Sequence, residues 1–287
     1  MKLALGSVQF GMRYGAFNAA GQPSAKAVAA ILDLARSAGV TTIDTARAYG
    51  ESEKMLGSLA AAERFAIVTK VPPLDDDDPV AMLEETFVKS LRSLRTDRVH
   101  ALLLHRGADL LGSRGSTIWQ ALARLQTAGL VEKIGFSGYG HDETLTLLDR
   151  YPVEIVQLPL NIFDHRHLDA GVLARCAANG VIVHTRSVFL QGFALAQPEE
   201  LHGHLATWRS KLEDFQTRCR LLGLSPLQGA LRHVLDYAAV NQVVVGVDDV
   251  TQLKSILAAA SHPPLPGDAW LGLQCDDPAL IDPSRWS

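Results

Sequence analysis

The sequence predicts an α/β fold, a (β/α)8 TIM barrel whose eight parallel strands close into one sheet. Short apolar runs recur eight times, and between them lie segments whose apolar residues are spaced three and four apart. Strands that are apolar along their whole length are typical of parallel sheets covered by helices on the outside. Eight such units in 287 residues favour a closed barrel over a doubly wound sheet.

Each strand is predicted from one apolar run, and each run is followed by a helical pattern or a loop. The helical patterns at 24–39 and 117–129 stop at glycine, and 79–95 begins at a proline, as helices often do. A short capped helix is expected from Ser52 onward. The predicted strands are 3–10, 41–46, 65–71, 99–105, 131–137, 154–161, 181–187 and 241–247.

Two segments do not fit the regular alternation. Residues 198–223 read as helical and lie between the seventh strand and the helix expected at 225–238, which predicts an extra helical insertion after strand seven. The tail, residues 261–287, carries five prolines and cannot form one long helix. We expect a single barrel domain over 1–287 with this tail wrapping the barrel or reaching over its active face.

Composition narrows the class of protein. A formal charge of −4 argues against a general binder of nucleic acid or of membrane surfaces. No uninterrupted apolar stretch approaches eighteen residues, and the first residues do not resemble a signal peptide, so we expect a cytoplasmic protein. Three widely spaced cysteines without a CxxC motif are expected to be reduced and structural.

Polar residues close the predicted strands, and in a barrel the C-terminal strand ends meet on one face, where chemistry is placed. We therefore expect these residues to share a cleft. They are Asp44, Lys70, His105, Ser137, Gln157 with Asn161, and Arg186 with Ser187; Tyr49 follows in the loop after Asp44.

Four of these residues have mutually consistent chemistry. The phenol of Tyr49, with an ordinary pKa of about 10, becomes a proton donor near neutral pH when an ammonium lies beside it, and Lys70 can supply that charge. A buried ammonium needs a carboxylate partner, for which Asp44 has the right sign. His105, when neutral, can donate a hydrogen bond to a carbonyl oxygen. Such a site protonates an oxygen on which negative charge develops.

The chain resembles the aldo-keto reductase family. "DTARAYGESEKMLG" (44–57) follows the family's pattern almost position for position, and Lys70 in "IVTKV" and His105 in "LLLHRG" fall where its other catalytic residues belong. The match continues through "KIGFSGY", "VQLPLNIFD", "RSVFLQG" and "VVVGVDDVTQL". The resemblance implies a (β/α)8 barrel and reduction of an aldehyde or ketone, or the reverse oxidation, with hydride from NADP(H) or NAD(H).

Residue by residue, the resemblance implies Tyr49 as general acid, Lys70 lowering its pKa, Asp44 paired with Lys70, and His105 orienting the carbonyl. Some positions depart from the family pattern. Gly138 stands where an asparagine often holds the nicotinamide, Arg186 where an aromatic often stacks on it, and Asp248 and Asp249 where basic residues often bind the NADP phosphate. The implied cofactor-binding residues are Ser137, Gln157, Arg186, Ser187, Gly246 and Gln252.

Two other functions remain open at this point. Lys70 could be the nucleophile of a Schiff-base aldolase on the same fold. A cofactor-binding regulatory subunit would keep the same residues with little turnover. The expected substrate is a small carbonyl compound, polar or sugar-like.

Several residues outside this set invite a second interpretation. His165, His167, His202 and His204 resemble metal ligands but lack partners at metal spacing, so we expect solvated loops or helix faces and no metal. Phe10, Met12 and Tyr14 lie after the first strand, where either a substrate pocket or ordinary packing would use them.

Overall fold

The computed structural model describes residues 1–18, 21–266 and 269–286. Its strands are β1 (Leu3–Gly6), β2 (Thr42–Asp44), β3 (Ala66–Val71), β4 (Val99–Leu104), β5 (Val131–Ser137), β6 (Ile155–Pro159), β7 (Ile182–Arg186) and β8 (Gln242–Gly246). They form one closed barrel in chain order, and β1 pairs with both β2 and β8 in parallel. The predicted (β/α)8 TIM barrel is confirmed.

The first strand is shorter than its apolar run. β1 was expected to reach Phe10 but ends at Gly6, because Ser7 turns the chain away from the sheet. The backbone N–H and the hydroxyl of Ser7 both donate to the carbonyl oxygen of Asp44, at 3.0 and 2.9 Å. A helical turn follows from Val8, and Phe10 is fully buried within it. The apolar character of this run reflects burial in a turn as well as in a strand.

Helices alternate with the strands as expected. The α-helices are α1 (Val8–Gly11), α2 (Ala25–Ser37), α3 (Ser52–Ser58), α4 (Pro79–Leu94), α5 (Gly115–Thr127), α6 (His141–Arg150), α7 (Arg166–Asp169), α8 (Val172–Ala178), α9 (Arg209–Leu221), α10 (Pro226–Leu235), α11 (Val250–Ala260) and α12 (Pro278–Ile281). Short 3-10 helices lie at Ala61–Glu63, Gly107–Leu110, Leu190–Leu195, Pro198–Glu200, Gly203–Trp208 and Pro283–Arg285.

Local chemistry explains where the long helices begin and end. The Ser24 hydroxyl accepts from the Ala27 N–H at the start of α2, and the Asp78 carboxylate accepts from the Ala81 N–H at the start of α4. Gly39 follows α2 with a φ of +82°, a left-handed conformation that glycine adopts without strain. The predicted bounds at 24–39 and 79–95 are thus close to those observed.

The insertion after β7 is present, but its helix is shorter than expected. Residues 198–208 form two 3-10 segments, and only α9 is a regular helix. Gly203 has a φ of +57° and His202 is extended, so the backbone cannot continue as an α-helix through them. The prediction of continuous helix over 198–223 is wrong in its first half.

The described residues form three apolar clusters. The largest lies between the sheet and the surrounding helices, and a small one inside the barrel consists of Val68, Ala101, Leu103 and Ile155. The third joins the insertion and the tail to Phe163 of the loop after β6, where Phe163, Phe193, Phe215, Trp270 and Leu280 pack together. Tail residues 267, 268 and 287 lie outside the described ranges. The described tail residues are held against the insertion by apolar burial.

The cysteines and the helices bear on two further expectations. All three cysteines are free, and Cys176 and Cys219 are buried. Burial raises the pKa of Cys176 to about 11 and that of Cys219 to about 12, so both remain thiols at neutral pH. No helix in the described ranges has the length and apolar character needed to cross a bilayer.

Candidate active site

A cavity of about 920 Å³ opens at the C-terminal ends of the strands. Its volume lies in the upper part of the range of ligand sites, roughly 300–1,000 Å³. Nine of the ten predicted site residues line it: Asp44, Tyr49, His105, Ser137, Gln157, Arg186, Ser187, Gly246 and Gln252. Lys70 does not reach its surface and is fully buried behind it.

Lys70 and Asp44 form a buried ion pair at the base of the cavity. The Lys70 Nζ donates to both carboxylate oxygens of Asp44, at 2.8 and 2.7 Å, and to the carbonyl oxygen of Thr45 at 2.9 Å. Burial disfavours the ammonium, but the charges of Asp44 and Tyr49 and their hydrogen bonds outweigh it and raise the pKa of Lys70. Lys70 is therefore a fixed cation at neutral pH.

Tyr49 lies next to this cation. Its hydroxyl is 3.4 Å from the Lys70 Nζ, and the same Nζ lies 5.0 Å from the centroid of its ring. The ring packs edge-on against His105, with centroids 5.6 Å apart at 80°. One residue from the loop after β2 thus contacts one from the end of β3 and one that follows β4.

Glycines fix the position of the loop that carries Tyr49. A Cβ on Gly11 would lie 1.9 Å from the carbonyl oxygen of Tyr49, and one on Gly50 would lie 2.5 Å from the carbonyl oxygen of Gly11. Gly50 also has a φ of +56°. Only glycine at both positions lets α1 approach this loop closely enough for the Glu51 N–H to donate to Gly11.

Ser52 holds the same loop from its other side. It is the first residue of α3, as expected, but its hydroxyl does not cap the helix. That hydroxyl is fully buried, donates to the carbonyl oxygen of Ser7 at 2.8 Å and lies 3.2 Å from the hydroxyl of Thr45. The expected start of the helix at Ser52 is confirmed, the N-cap residue Glu51 makes no side-chain capping bond, and Ser52 ties together the loops after β1 and β2.

His105 is held in its neutral form. Burial, followed by the positive charge of Lys70, lowers its pKa to about 4. Arg186 acts in the same direction and Asp44 opposes it. A neutral imidazole carries one N–H donor, which suits a hydrogen bond to a carbonyl oxygen.

The lowered pKa of His105 predicts how the site responds to a fall in pH. A histidine whose pKa is lowered by folding takes up its proton only as the pH falls through the folded value. We expect NMR titration of the His105 ring to give a midpoint near 4 and kcat/KM for an uncharged aldehyde to show no limb near 6.5. His105→Gln, which keeps a donor but does not titrate, identifies the resonance. A midpoint near 6.5 would contradict a desolvated imidazole.

Gln157 is hydrogen-bonded to the carboxylate of the ion pair. Its Nε2 donates to Asp44 Oδ1 at 2.6 Å, and the residue is 1 % exposed. Ser137 is its register partner on β5 and is also buried at the cavity wall. The sequence placed Gln157 on the correct strand end, but its contact with Asp44 crosses the barrel and has no local signal.

Gly138, where the family often has asparagine, has a packing reason of its own. A Cβ there would lie 2.6 Å from the Thr144 hydroxyl and 3.0 Å from a methyl group of Leu158. A side chain at this position requires the Thr144 and Leu158 side chains to shift. The following residue, Tyr139, lines the cavity instead and was not singled out from the sequence.

Arg186 points its guanidinium over the ring of Tyr139, 4.9 Å from the centroid. It donates to the Ser187 hydroxyl and to the Gly138 carbonyl oxygen, each at 3.3 Å. Ser187 has a φ of +63°, and its carbonyl oxygen accepts from the Asn161 amide at 3.1 Å. Arg186 is half-buried and lies on the cavity wall.

The end of β8 forms the opposite wall. A Cβ on Gly246 would lie 2.4 Å from the Gln9 amide, so the glycine admits this side chain. The Gln252 Oε1 accepts from the Asp248 N–H at 2.9 Å. Asn18 reaches across to donate to Asp248 at 3.0 Å, which links the loop after α1 to the loop after β8. Gln9 and Asn18 are cavity residues that sequence reasoning missed.

The remaining sequence candidates divide between cavity and core. Tyr14 lines the cavity, whereas Phe10 is buried in the core and Met12 is exposed outside the cavity lining. The expectation of solvated histidines is wrong for His167, which is fully buried and lies 3.2 Å from the Tyr139 carbonyl oxygen. It is also wrong for His165, whose half-buried ring stacks on His233 of α10 at 4.7 Å.

His202 is exposed and His204 is half-buried, with its ring 6.1 Å from that of Trp286. Among the residues that the structure describes, no three potential metal ligands converge. The histidines of this region therefore pack as side chains of the core and surface.

The fold and the cavity define a barrel enzyme whose phenol lies beside a buried, carboxylate-paired ammonium. A family model described as "Aldo/keto reductase family" matches residues 2–271. The chain belongs to the aldo/keto reductase family and is an NAD(P)-dependent oxidoreductase. The resemblance expected from the sequence is confirmed.

Individual relatives are distant. L-Galactose dehydrogenase of Arabidopsis thaliana is 27% identical over 241 residues, which cover 78% of this chain and 75% of that protein. 6-Dehydroglucose reductase of Novosphingobium aromaticivorans is 28% identical over 173 residues, covering 52% and 55%. The structure of an aldo-keto reductase from Bacillus halodurans matches with a TM-score of 0.77 at 18% identity and covers 95% of this chain and 90% of that one, a likeness of fold.

Proposed function

We propose that this cavity reduces the aldehyde or ketone group of a small, polar, sugar-like compound to an alcohol, or catalyses the reverse oxidation, with Tyr49 as the general acid. One observation carries the proposal: the Tyr49 hydroxyl lies 3.4 Å from the Lys70 ammonium, which Asp44 holds by two hydrogen bonds. A cation at this distance stabilises the phenolate that remains after the proton has left.

The other residues have supporting roles in the proposal. His105, neutral and edge-on to Tyr49 at 5.6 Å, donates to the carbonyl oxygen and orients it toward the phenol. Asp44, held by Gln157, keeps the ammonium in place. A nicotinamide held in the cavity would supply the hydride for the carbonyl carbon, and the Tyr49 hydroxyl donates the balancing proton to the carbonyl oxygen.

The residues present fit a nicotinamide dinucleotide. The cavity has room for one, and its wall carries Ser137, Ser187, Gly246 and Gln252, which we propose as cofactor contacts together with Gln157 and Arg186. The Gln9 Oε1 is buried without a hydrogen-bond partner among the described residues and also lines the cavity. A polar ligand would satisfy it.

The wall away from Tyr49 favours NADH over NADPH. Asp248 and Asp249 line the cavity there, and Lys254 lies outside its lining and is exposed. Burial raises the pKa of Asp248, and the two carboxyl groups stand at the positions where the family resemblance would place basic residues for the 2'-phosphate of NADPH. The sugar-like substrate is supported by the names of two relatives, L-galactose dehydrogenase and 6-dehydroglucose reductase.

Titration of NADH and NADPH by fluorescence quenching tests the cofactor proposal. We expect NADH to bind at least about tenfold more tightly. Asp248→Asn, which keeps the size of the side chain and removes its charge, is expected to narrow the difference. Tighter binding of NADPH would contradict this preference.

Turnover of a panel of aldoses and simple aldehydes then tests the reaction. A protein that binds nucleotide without turning over any of these compounds would support a regulatory role.

A Schiff-base aldolase is disfavoured by the surroundings of Lys70. A nucleophilic lysine needs a lowered pKa and access to substrate. Lys70 has a raised pKa, is fully buried, and donates to Asp44 and Thr45. Its contacts suit a permanent cation and not a free amine.

A further inference from the structure

The guanidinium of Arg186 is a charge on the cavity wall whose surroundings provide no counter-ion. Within the described part of the chain, no carboxylate oxygen lies within 4.0 Å of it, although it is half-buried. Its two hydrogen bonds go to neutral oxygens, of Ser187 and Gly138, and both are long at 3.3 Å. A partly desolvated cation in this state lacks the anionic partner that such groups usually have.

The nearby carboxylates are already engaged by other arginines. Asp164 accepts from Arg166 at 2.9 Å, and Asp282 lies 3.4 Å from Arg285. Asp44, the carboxylate nearest to the reacting groups, is paired with Lys70. The neighbourhood of Arg186 thus carries one positive charge that is not balanced locally, and that charge faces the cavity.

The surroundings also hold the guanidinium in a fixed plane. Its centre lies 4.9 Å from the Tyr139 ring, and Arg166 lies 5.2 Å from the same ring. The Tyr139 hydroxyl donates to Asp282 of the tail at 2.6 Å, which fixes the ring itself. A planar guanidinium whose orientation is fixed matches the two oxygens of a carboxylate with little loss of entropy.

Arg186 is close to the reacting groups. Its positive charge helps lower the pKa of His105 after burial and Lys70, and it opposes the burial that raises the pKa of Tyr14. Both side chains line the same cavity. Arg186, His105 and Tyr14 thus face one cavity, and the guanidinium charge acts on both neighbours.

We propose that Arg186 binds a carboxylate of the substrate, so that the compounds this site handles are carbonyl compounds bearing an acid group, such as aldehyde acids or acidic sugars. This proposal rests on the proposed reductase function, because that function is what makes a carbonyl compound the substrate of this cavity. The same guanidinium chemistry would also suit a phosphate of the cofactor, and the experiment separates the two sources.

Binding of two products that differ only in charge tests the proposal without requiring turnover. 4-(Hydroxymethyl)benzoate and its neutral analogue 4-(hydroxymethyl)benzamide are titrated by calorimetry into the protein saturated with NADH, because an alcohol and the reduced nucleotide form a dead-end complex that cannot react. We expect the wild type to bind the benzoate about 10- to 100-fold more tightly. Arg186→Gln is expected to abolish this preference, and Arg186→Lys to restore part of it, because lysine keeps the charge but not the fork.

Two controls separate the proposal from its alternatives. Arg175→Gln removes a positive charge from α8 outside the cavity lining, where Arg175 pairs with Asp149, and is expected to leave the benzoate preference unchanged. Every titration is made at saturating nucleotide, so a change in the Kd for NADH in Arg186→Gln, which is also proposed to contact the cofactor, does not affect the comparison of benzoate with benzamide. Equal binding of benzoate and benzamide by the wild type would overturn the proposal, as would an Arg186→Gln variant that keeps the benzoate preference.

Turnover of the matching aldehydes, 4-carboxybenzaldehyde and 4-formylbenzamide, tests the carboxylate site and the reductase function separately. Reduction of both at the same kcat/KM would overturn the carboxylate site and leave the reductase function standing. A wild type that binds the benzoate selectively but reduces neither aldehyde would contradict the reductase function and leave the anion site standing.

Discussion

Replacing Tyr49 by phenylalanine is expected to lower kcat by about 10²–10⁴-fold. The variant keeps the ring, and with it the edge-on contact to His105 at 5.6 Å, but removes the hydroxyl 3.4 Å from the Lys70 Nζ. Among the described residues, the other hydrogen-bond partners of the Lys70 ammonium are the Asp44 carboxylate and the Thr45 carbonyl oxygen, neither of which can donate a proton in its place. Because Tyr49 is half-buried at the cavity wall, we expect the melting temperature and NADH affinity to change little.

Tyr151→Phe is the matched control for this variant. The Tyr151 hydroxyl donates to the Leu110 carbonyl oxygen at 3.0 Å, outside the cavity lining. Its loss is expected to cost about 1 kcal/mol of stability and nothing in turnover. Steady-state kinetics on one aldehyde with saturating nucleotide, together with thermal melts, measure both effects. Turnover of Tyr49→Phe close to that of the wild type would contradict a role for Tyr49 as the acid.

The part of the site that the sequence predicts well is the part that follows from strand order. Asp44 and Lys70 close β2 and β3, and His105 follows β4, so a parallel barrel brings them together however the loops run. Lys70 and Asp44 needed only complementary charge to be expected as a pair. Tyr49 lies in the loop just after β2, so the same strand order predicts that it reaches the cleft, and the family resemblance adds its role as general acid.

Contacts between residues distant in the chain could not be predicted. Gln157 meets Asp44 across 113 positions, and His165 stacks on His233 from another helix. Neither contact leaves a periodic or spacing signal, because it depends on which side chains the closed barrel turns toward each other. Gly138 was noted as a missing asparagine, whereas the structure shows that a Cβ there would crowd the side chains of Thr144 and Leu158.

Removing Asp44 is expected to destabilise the protein more than any other change in the cavity. Asp44→Leu leaves the fully buried Lys70 ammonium without its carboxylate and Gln157 without its acceptor. Breaking a buried pair by removing one partner costs about 3–5 kcal/mol. Urea denaturation followed by circular dichroism measures the loss. A cost below about 1 kcal/mol would place the pair with weak surface salt bridges and contradict its burial.

The double variant Asp44→Leu/Lys70→Met distinguishes a buried charge from a simple loss of packing. Two apolar side chains of similar size often replace a buried ion pair with little change in stability. We therefore expect the double variant to be more stable than Asp44→Leu alone, because it removes the unpaired ammonium. Additive losses in the two single variants and their combination would show that the charges do not interact.

The raised pKa of Lys70 determines how the stability difference between the wild type and the double variant depends on pH. Since folding raises that pKa above its ordinary value of 10.5, the stabilisation is fully present below the value in the unfolded chain and is lost as the pH rises through the higher folded value. Between pH 8 and 10 we expect the difference in unfolding free energy between wild type and double variant to stay constant. A decline in this interval, rather than at higher pH, would mean that Lys70 titrates early. Such a lysine could not act as the fixed cation beside Tyr49, so the same titration that tests the ion pair also tests the acid that it supports.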